Sequence, residues 1–223
     1  MKALRENCVI PCIKHFPGDG VEELDQHLVM GVNNLSVDEW EESFGKVYRT
    51  LIDEGLEAIM VGHIALPEMS RKLVPGIEDK DIKPATLSKE LLTDLLREDM
   101  NFNGLVITDA SHMVGMSATS KRCDAVPGAI IAGCDMFLFA NDIAEDMAYV
   151  RKAYEDGLLT EERLEEAVRR ILGMKAHLNL TDESVIIPDK KELDNIGCEA
   201  HRECAKKAAD ECITLVKDTY KNL

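Results

Sequence analysis

The residues best suited to chemistry are gathered near the start of the chain, in the segment Lys14-His15-Phe16-Pro17-Gly18-Asp19-Gly20 and the triplet Asp25-Gln26-His27. Glycine and proline make such a stretch a poor helix and a poor strand, so we predict an ordered loop. A short apolar run, Cys8 to Ile13, leads directly into it. Asp25 is close enough to His27 for its carboxylate to orient the imidazole, and this pair would make a general acid/base.

Further ionisable residues follow other predicted strands. His63 comes after the second strand, and Asp109 ends the third. In a parallel α/β protein the carboxyl ends of the strands share one face, where active sites are built. A carboxylate nucleophile at Asp109 opposite a proton donor suits cleavage of a glycosidic bond, because one group attacks the anomeric carbon while the other protonates the leaving oxygen. Lys14 and His15 suit the hydroxyl and carbonyl groups of a sugar.

Each of these residues also has a purely structural interpretation. Asp109, which as a functional residue could be a nucleophile or a metal ligand, could instead be a helix N-cap, and His27 could be an ordinary surface histidine. Lys14 and His15 could form a structural ion pair, and His63 could be a satisfied core or loop histidine. The convergence of such residues at several strand ends favours the functional interpretation.

Four short, nearly continuous apolar runs predict parallel strands covered on both faces. We place them at Val9–Ile13, Ala58–Val61, Leu105–Thr108 and Asp135–Phe139. The helical patterns between and after them run from Ser36 to about Glu54, from Ser88 to about Met100, and over Ala125–Ala132, Ile143–Asp156 and Thr160–Leu178. Strands that alternate with helices predict right-handed βαβ units and an α/β fold with a parallel sheet.

This alternation ends near residue 180. We therefore predict a unit of (β/α) repeats over residues 1–180, then a linker and a C-terminal helix, from about Gly197 to Val216, within 181–223. In the last repeat, the helix has an apolar stripe made of Leu164, Val168, Ile171 and Leu172. Four units are half of an eight-stranded barrel and leave two open sheet edges. Two copies could pair edge to edge as a homodimer and complete a closed barrel.

Composition excludes several classes of partner. The chain has 223 residues, a net charge of −16 and a sequence pI near 4.8, which argues against nucleic-acid and anionic-membrane partners. We find no apolar run of about 18 residues that predicts a membrane span. Its seven cysteines, an odd number without a CxxC pair, are typical of reduced thiols in a cytoplasmic protein. Cys198-x-x-His201-x-x-Cys204 lacks a fourth ligand, so we predict no metal and no cofactor.

The combined motifs resemble those of glycoside hydrolase family 3, specifically its β-N-acetylglucosaminidase-like branch. They are Lys14-His15-Phe16-Pro17-Gly18-x-Gly20 with Asp25-x-His27, Thr108-Asp109-Ala110 with Met113 and Met116, Gly133-Cys134-Asp135-Met136, and Arg169-Arg170-Ile171-Leu172. The match runs from about residue 8 to 180, in order. It implies the second half of a TIM-type barrel and a retaining glycosidase for β-linked N-acetylglucosamine or related sugars.

The resemblance also implies roles for single residues. Asp109 would be the nucleophile, and His27, oriented by Asp25, would be the general acid/base in place of a second carboxylate. Lys14 and His15 would bind sugar hydroxyls.

The same resemblance implies that His63 and Met116 belong to the substrate-binding residues. The chain departs from the branch at Asp19, where the branch usually has a histidine, and His112 is an unexpected neighbour of the nucleophile. Because sugar-binding residues of the family's first half-barrel are absent from these 223 residues, we expect the isolated chain to be inactive or only weakly active.

Three alternatives stay open. A neutral imidazole does not repel an anionic co-substrate as a carboxylate would, so phosphate could replace water and the enzyme would be a β-glycoside phosphorylase. The chain could instead be a non-catalytic carbohydrate-binding or interaction fragment. It could also be a metal-dependent hydrolase that uses Asp25, His27 and Asp109.

Overall fold

The computed structural model describes residues 1–182, 189–217 and 219. Its contacts divide the chain into two compact units, Met1–Leu178 and Asn179–Leu223. The first unit contains a four-stranded parallel sheet whose strands alternate with helices, so the predicted α/β fold is confirmed. None of the described helices is long and apolar enough to cross a bilayer.

The described strands form two parallel sheets in the first unit. Their bounds are β1 Cys12–Phe16, β2 Gly31–Val32, β3 Ala58–Val61, β4 Ile64–Ala65, β5 Leu105–Ala110 and β6 Met136–Leu138. The larger sheet has the order β1-β3-β5-β6, and the smaller one pairs β2 with β4. Since the four strands of the larger sheet are parallel, their carboxyl ends lie along one edge.

Helices occupy the connections. Their bounds are α1 Lys2–Arg5, α2 Val37–Trp40 continued by a π-helical segment Glu41–Gly45 and by Lys46–Asp53, α3 Pro67–Leu73, α4 Glu90–Asp99 (π-helical), α5 Val114–Ser117, α6 Arg122–Ala132, α7 Ile143–Glu155 and α8 Glu161–His177. The start of α2 is a capping box, in which the Ser36 hydroxyl accepts from Glu39 N–H and the Glu39 carboxylate accepts from Ser36 N–H.

The first strand begins later than the apolar run predicts. Cys8 has a φ of 56°, and Val9 N–H donates to the Leu4 carbonyl at 2.9 Å. These residues therefore close the end of α1, and the strand is Cys12–Phe16 instead of Val9–Ile13. The predicted loop is present but begins at Pro17 instead of Lys14, because Lys14, His15 and Phe16 lie inside β1.

The other strand predictions fit more closely. β3 has the predicted bounds, and β6 is shorter by one residue at each end. β5 continues two residues beyond the predicted end, so Asp109 is its penultimate residue. Pairing with β6 holds this continuation, since Ala110 pairs with Leu138, whereas the pairing with β3 ends at Thr108.

The main core joins the sheet to α2 and α4. The Phe16 ring meets the rings of Trp40 and Tyr48 edge to face, with centroids 6.5 Å and 5.1 Å apart. Leu91 and Leu92 of α4 are fully buried in the same cluster. This packing fixes the carboxyl end of β1, from which the candidate site begins.

The apolar stripe predicted for α8 does not face this core. Leu164, Val168 and Leu172 are between 37% and 56% exposed, and Ala167 is the buried residue of the helix. β6 is the last strand of the larger sheet among the described residues, so no further strand of that sheet supplies a surface for the stripe. The amphipathic pattern is real, but the face is largely solvent-exposed.

The second unit contains a 3₁₀ segment, Lys190–Asn195, and helix α9, Glu199–Cys212. The helix is shorter at both ends than the predicted span from Gly197 to Val216. The predicted linker includes residues 183–188, which lie outside the described residues.

Candidate active site

Asp109 lies at the carboxyl end of β5, beside a histidine of β1. Its Oδ2 is 3.3 Å from Nε2 of His15, and both side chains are partly accessible, at 13% and 17%. The other carboxylate oxygen accepts from Ala110 N–H at 2.7 Å, which fixes the carboxylate plane. The second ring nitrogen of His15, Nδ1, is 3.2 Å from Oδ2 of Asp19. An imidazole therefore stands between two carboxylates.

The loop after β1 is held by side chains from α2 and from the segment before it. Trp40 Nε1 donates to the Pro17 carbonyl at 2.7 Å, and Asn33 Nδ2 donates to the Gly18 carbonyl at 3.2 Å. Gly18 has a φ of +139°, and an added Cβ would meet the Phe44 ring at 2.5 Å. A residue with a side chain would therefore both strain the backbone and clash here.

Asp25 and His27 form the predicted carboxylate–imidazole pair. His27 Nδ1 is 2.6 Å from Asp25 Oδ1, which also accepts from His27 N–H at 2.9 Å. These bonds, first the one from the backbone and then the one from the ring, lower the pKa of Asp25 below its ordinary value. Both side chains are exposed. The ring nitrogen that does not face Asp25, Nε2, is the one left for proton transfer.

Backbone bonds tie the loop that carries this pair, called the acid/base loop below after its predicted role, to the segment that follows β5. Val114 N–H donates to the His27 carbonyl at 3.2 Å, and Gly115 N–H donates to the Gln26 carbonyl at 3.3 Å. A Cβ on Gly115 would lie 2.8 Å from that Gln26 oxygen. The acid/base loop can therefore approach α5 closely only because position 115 is a glycine.

His63 is fully buried, unlike the other histidines of the site. Its Nε2 is 3.1 Å from the Ala110 carbonyl, and its Nδ1 is 2.9 Å from the Thr86 hydroxyl. Burial lowers the pKa of His63, which favours the neutral ring. Since a carbonyl only accepts, Nε2 of this neutral ring carries the proton.

The predicted binding residues fall into two groups. Lys14 is exposed in β1, and His15 reaches Asp109. His63 and Met116 are buried, the latter at 2% exposure, although Met116 belongs to the lining of a groove of about 270 Å³ beside Ser111. Their part in substrate binding stays a prediction.

Two groups of the site were not predicted to act in it. Asp19 approaches His15, and the buried Gln26 donates to Asp19 and accepts from His63 N–H. Their position in the sequence could have identified them, because both residues belong to the segment richest in ionisable groups. Thr86, which accompanies His63, lies in a long polar connection and carries no such signal.

A groove of about 430 Å³ opens beside the site along β1, lined by residues that include Lys14, His15, Asp19 and Phe44. A larger groove, of about 530 Å³, lies at the opposite ends of the strands near Gly104 and Leu105. Of these two grooves, the smaller one contains an imidazole and a carboxylate of the site, those of His15 and Asp19, whereas Asp109, Asp25 and His27 are not among its lining residues. Among the described residues, no group of three or more His, Cys, Asp or Glu side chains is arranged to hold a metal.

Known proteins share this fold. The family model described as "Glycosyl hydrolase family 3 N terminal domain" matches residues 1–174. A Cellulomonas fimi protein named beta-N-acetylglucosaminidase/beta-glucosidase is 46% identical over 218 residues, which are 98% of this chain and 38% of that protein. Beta-hexosaminidase A of Pseudoalteromonas piscicida is 28% identical over 98% of this chain and 38% of its own length.

A solved structure named beta-glucoside phosphorylase BglX has a TM-score of 0.90 and 45% identity, over 100% of this chain and 40% of that one. The chain thus spans about two fifths of the length of the relatives it matches. The parallel sheet and these matches define the class, a (β/α) glycosidase-type domain. The chain belongs to glycosyl hydrolase family 3.

Proposed function

We propose that this chain carries the reacting groups of a retaining β-glycosidase that acts on β-linked N-acetylglucosamine or a related sugar. The observation that carries the proposal is that the loop with the Asp25–His27 pair is bonded through its backbone to Val114 and Gly115, which follow Asp109 by five and six residues. The names of the Cellulomonas fimi and Pseudoalteromonas piscicida relatives support this substrate class.

The proposed reaction has two steps. A carboxylate oxygen of Asp109 forms a bond to the anomeric carbon while the bond to the leaving oxygen breaks, and protonated His27 gives that oxygen its proton. Water then attacks the anomeric carbon, His27 takes a proton from the water, and Asp109 leaves as a carboxylate. Asp25 would orient the imidazole throughout. Lys14 and His15 would bind sugar hydroxyls from the groove along β1.

Covalent trapping tests this assignment. A 2-deoxy-2-fluoro-β-glycosyl fluoride should label the full chain at one site, and peptide mapping should find the label on Asp109. D109N should lose the label, whereas E23Q, which changes an exposed carboxylate in the acid/base loop, should keep it. A label on a residue other than Asp109 would contradict the assignment.

Phosphorolysis is the second candidate, and the similarity to a structure named beta-glucoside phosphorylase favours it. The physical reason is that a neutral imidazole near the second-step nucleophile does not repel phosphate as a carboxylate would. Product analysis separates the two reactions. A sugar 1-phosphate that forms only with added inorganic phosphate supports phosphorolysis, and free sugar as the sole product in the presence of phosphate excludes it.

We propose further that the isolated chain works poorly, because it spans only about two fifths of its relatives. Loss of positioning groups for the sugar commonly costs about 10²-fold or more. Turnover of p-nitrophenyl N-acetyl-β-glucosaminide by the 223-residue chain should fall at least that far below a full-length relative. Equal turnover would contradict this proposal.

We propose that two copies of the chain form a homodimer through the two edge strands of the larger sheet. β1 and β6 each pair with one strand among the described residues, and their other edges carry unpaired backbone groups. Edge β1 of one copy could pair with edge β6 of the other, twice, to close eight parallel strands.

A reducing, cytoplasmic location is also our proposal, supported by seven cysteines that are all free.

A further inference from the structure

Asp19 contacts both parts of the site through a single oxygen. Its Oδ2 is 3.2 Å from His15 Nδ1 and accepts from Gln26 Nε2 at 3.2 Å. The other nitrogen of the His15 ring is 3.3 Å from Asp109 Oδ2. One carboxylate therefore links the histidine beside the nucleophile to the loop that carries the acid/base pair.

Gln26 is well placed to transmit this contact. It stands between Asp25 and His27 in the sequence, and its side chain is buried. Its amide nitrogen donates to Asp19, and its amide oxygen accepts from His63 N–H at 3.0 Å. With both ends of the amide engaged, the side chain has one orientation, and the backbone at Asp25 and His27 is fixed with it.

We propose that Asp19 is a positioning residue that holds His15 against Asp109 and, through Gln26, holds the acid/base loop beside the nucleophile. The role in catalysis rests on the function proposed above, whereas the network of contacts does not.

Charge and hydrogen bonding at Asp19 can be separated. An asparagine keeps an oxygen that can accept from Gln26, but it lacks the charge that faces the His15 ring. Other ionisable groups near Asp19 are Tyr48 of α2, whose pKa is raised by burial and by Asp19, Lys14, which lines the same groove, and Asp109 beyond His15. D19N should therefore disturb mainly His15, and D19A should disturb both His15 and Gln26.

Two measurements on the full chain decide the proposal. Histidine-ring ¹H–¹⁵N spectra should show the His15 signals displaced in D19N and in D109N, but unchanged in E23Q; H15Q assigns them. Hydrogen exchange at the His63 amide should be faster in D19A than in D19N, because only D19A removes the acceptor for Gln26. His15 signals that stay in place in D19N, or equal His63 exchange in all variants, would overturn the proposal.

Activity separates this proposal from the proposed function. If the unmodified chain turns over glycoside, kcat in D19N should fall about 10- to 100-fold with little change in KM, since the loss is one of positioning. Unchanged kcat alongside displaced His15 signals would overturn the positioning role. A chain that shows the spectral and exchange changes, but neither turns over glycoside nor traps the fluorosugar, would contradict the proposed function and leave the Asp19 contacts intact.

Discussion

At the scale of single residues, the two carboxylate–histidine pairs of the site differ in their exposure to solvent. Asp25 and His27 are about two-thirds exposed, whereas Asp109 and His15 are mostly covered. An exposed pair can exchange protons with solvent between turnovers, and a covered carboxylate is less screened by water. The division suits a proton-transfer group on one side and a nucleophile on the other.

Replacing His27 should lower turnover far more than replacing His177. H27A should lower kcat about 10²- to 10⁴-fold, because a positioned acid/base contributes an acceleration of that size. The measurement is steady-state turnover by whichever assembly is active. H177Q is the matched control, since His177 is an exposed histidine whose ion-pair partner Glu57 lies at the other end of the strands. Comparable losses in both variants would show that the effect is not specific to the site.

Much of the residue-scale site was predictable, and the reason is local. Asp25 and His27 are two positions apart, so the sequence itself brings them into contact. His15 and Asp109 meet only because β1 and β5 flank β3, which required the sheet order. The burial of His63 was not predictable, because a histidine after a strand gives the same pattern whether its ring faces solvent or the core.

At the scale of elements, the turn after β3 supports the nucleophile strand. The His63 ring donates from Nε2 to the Ala110 carbonyl of β5, and its Nδ1 lies 2.9 Å from the Thr86 hydroxyl oxygen, which is also 2.9 Å from the Gly62 carbonyl oxygen. These bonds join three separate segments behind Asp109. A buried neutral imidazole is therefore part of what holds the end of β5 in place.

Acid should loosen this region. Because the pKa of His63 is below the ordinary 6.5, the unfolded chain binds more protons than the folded chain between the two values. Stability should therefore be complete above pH 6.5, decrease as the pH falls from 6.5 to the folded-state pKa, and level off below it. Urea unfolding across this range measures the slope. H63Q should have a flatter profile, and an unchanged slope would exclude His63 as its source.

The contact between α5 and the acid/base loop should not tolerate a methyl group. G115A would place a Cβ 2.8 Å from the Gln26 carbonyl and from the His63 Cβ, and we expect a loss of about 1–3 kcal/mol in the free energy of unfolding. G128A in α6 is the control, because its nearest neighbour is the Leu87 side chain at 3.7 Å. It should be neutral or stabilising, by up to about 1 kcal/mol. Equal effects would contradict the close approach.

Two predictions about elements failed: the residue at which the first strand begins, and the burial of the apolar stripe of α8. The run Cys8–Ile13 is apolar, but Cys8 and Val9 turn back onto α1, and the strand starts only at Cys12. The Leu164 stripe shows the opposite limit, since a helical pattern identifies an apolar face but not the surface that covers it.

At the scale of the whole molecule, the exposed apolar face extends along one end of the larger sheet. Ile143 and Met147 of α7 are 73% and 55% exposed, and a groove between α7, α8 and Phe137 has a volume of about 320 Å³. Exposed apolar surface of this kind favours association. It lies beside β6, one of the two edges that the proposed homodimer would pair.

Self-association should therefore depend on β6. Sedimentation at micromolar concentration should show a dimer, and M136K should raise its dissociation constant about tenfold or more, because lysine on an edge strand opposes pairing. V74K, which changes an exposed valine after α3, is the control and should leave the dimer intact. A clean monomer of the unmodified chain would contradict the dimer.

Trp40 is the single tryptophan of the chain and is fully buried. Its indole N–H donates to the Pro17 carbonyl, in the loop that leads from His15 to Asp19. Any rearrangement of that loop must change the surroundings of this one fluorophore. The emission of the unlabelled protein is thus an optical reporter of the loop beside the nucleophile, and a sugar that enters the groove along β1 can be followed in real time without a dye.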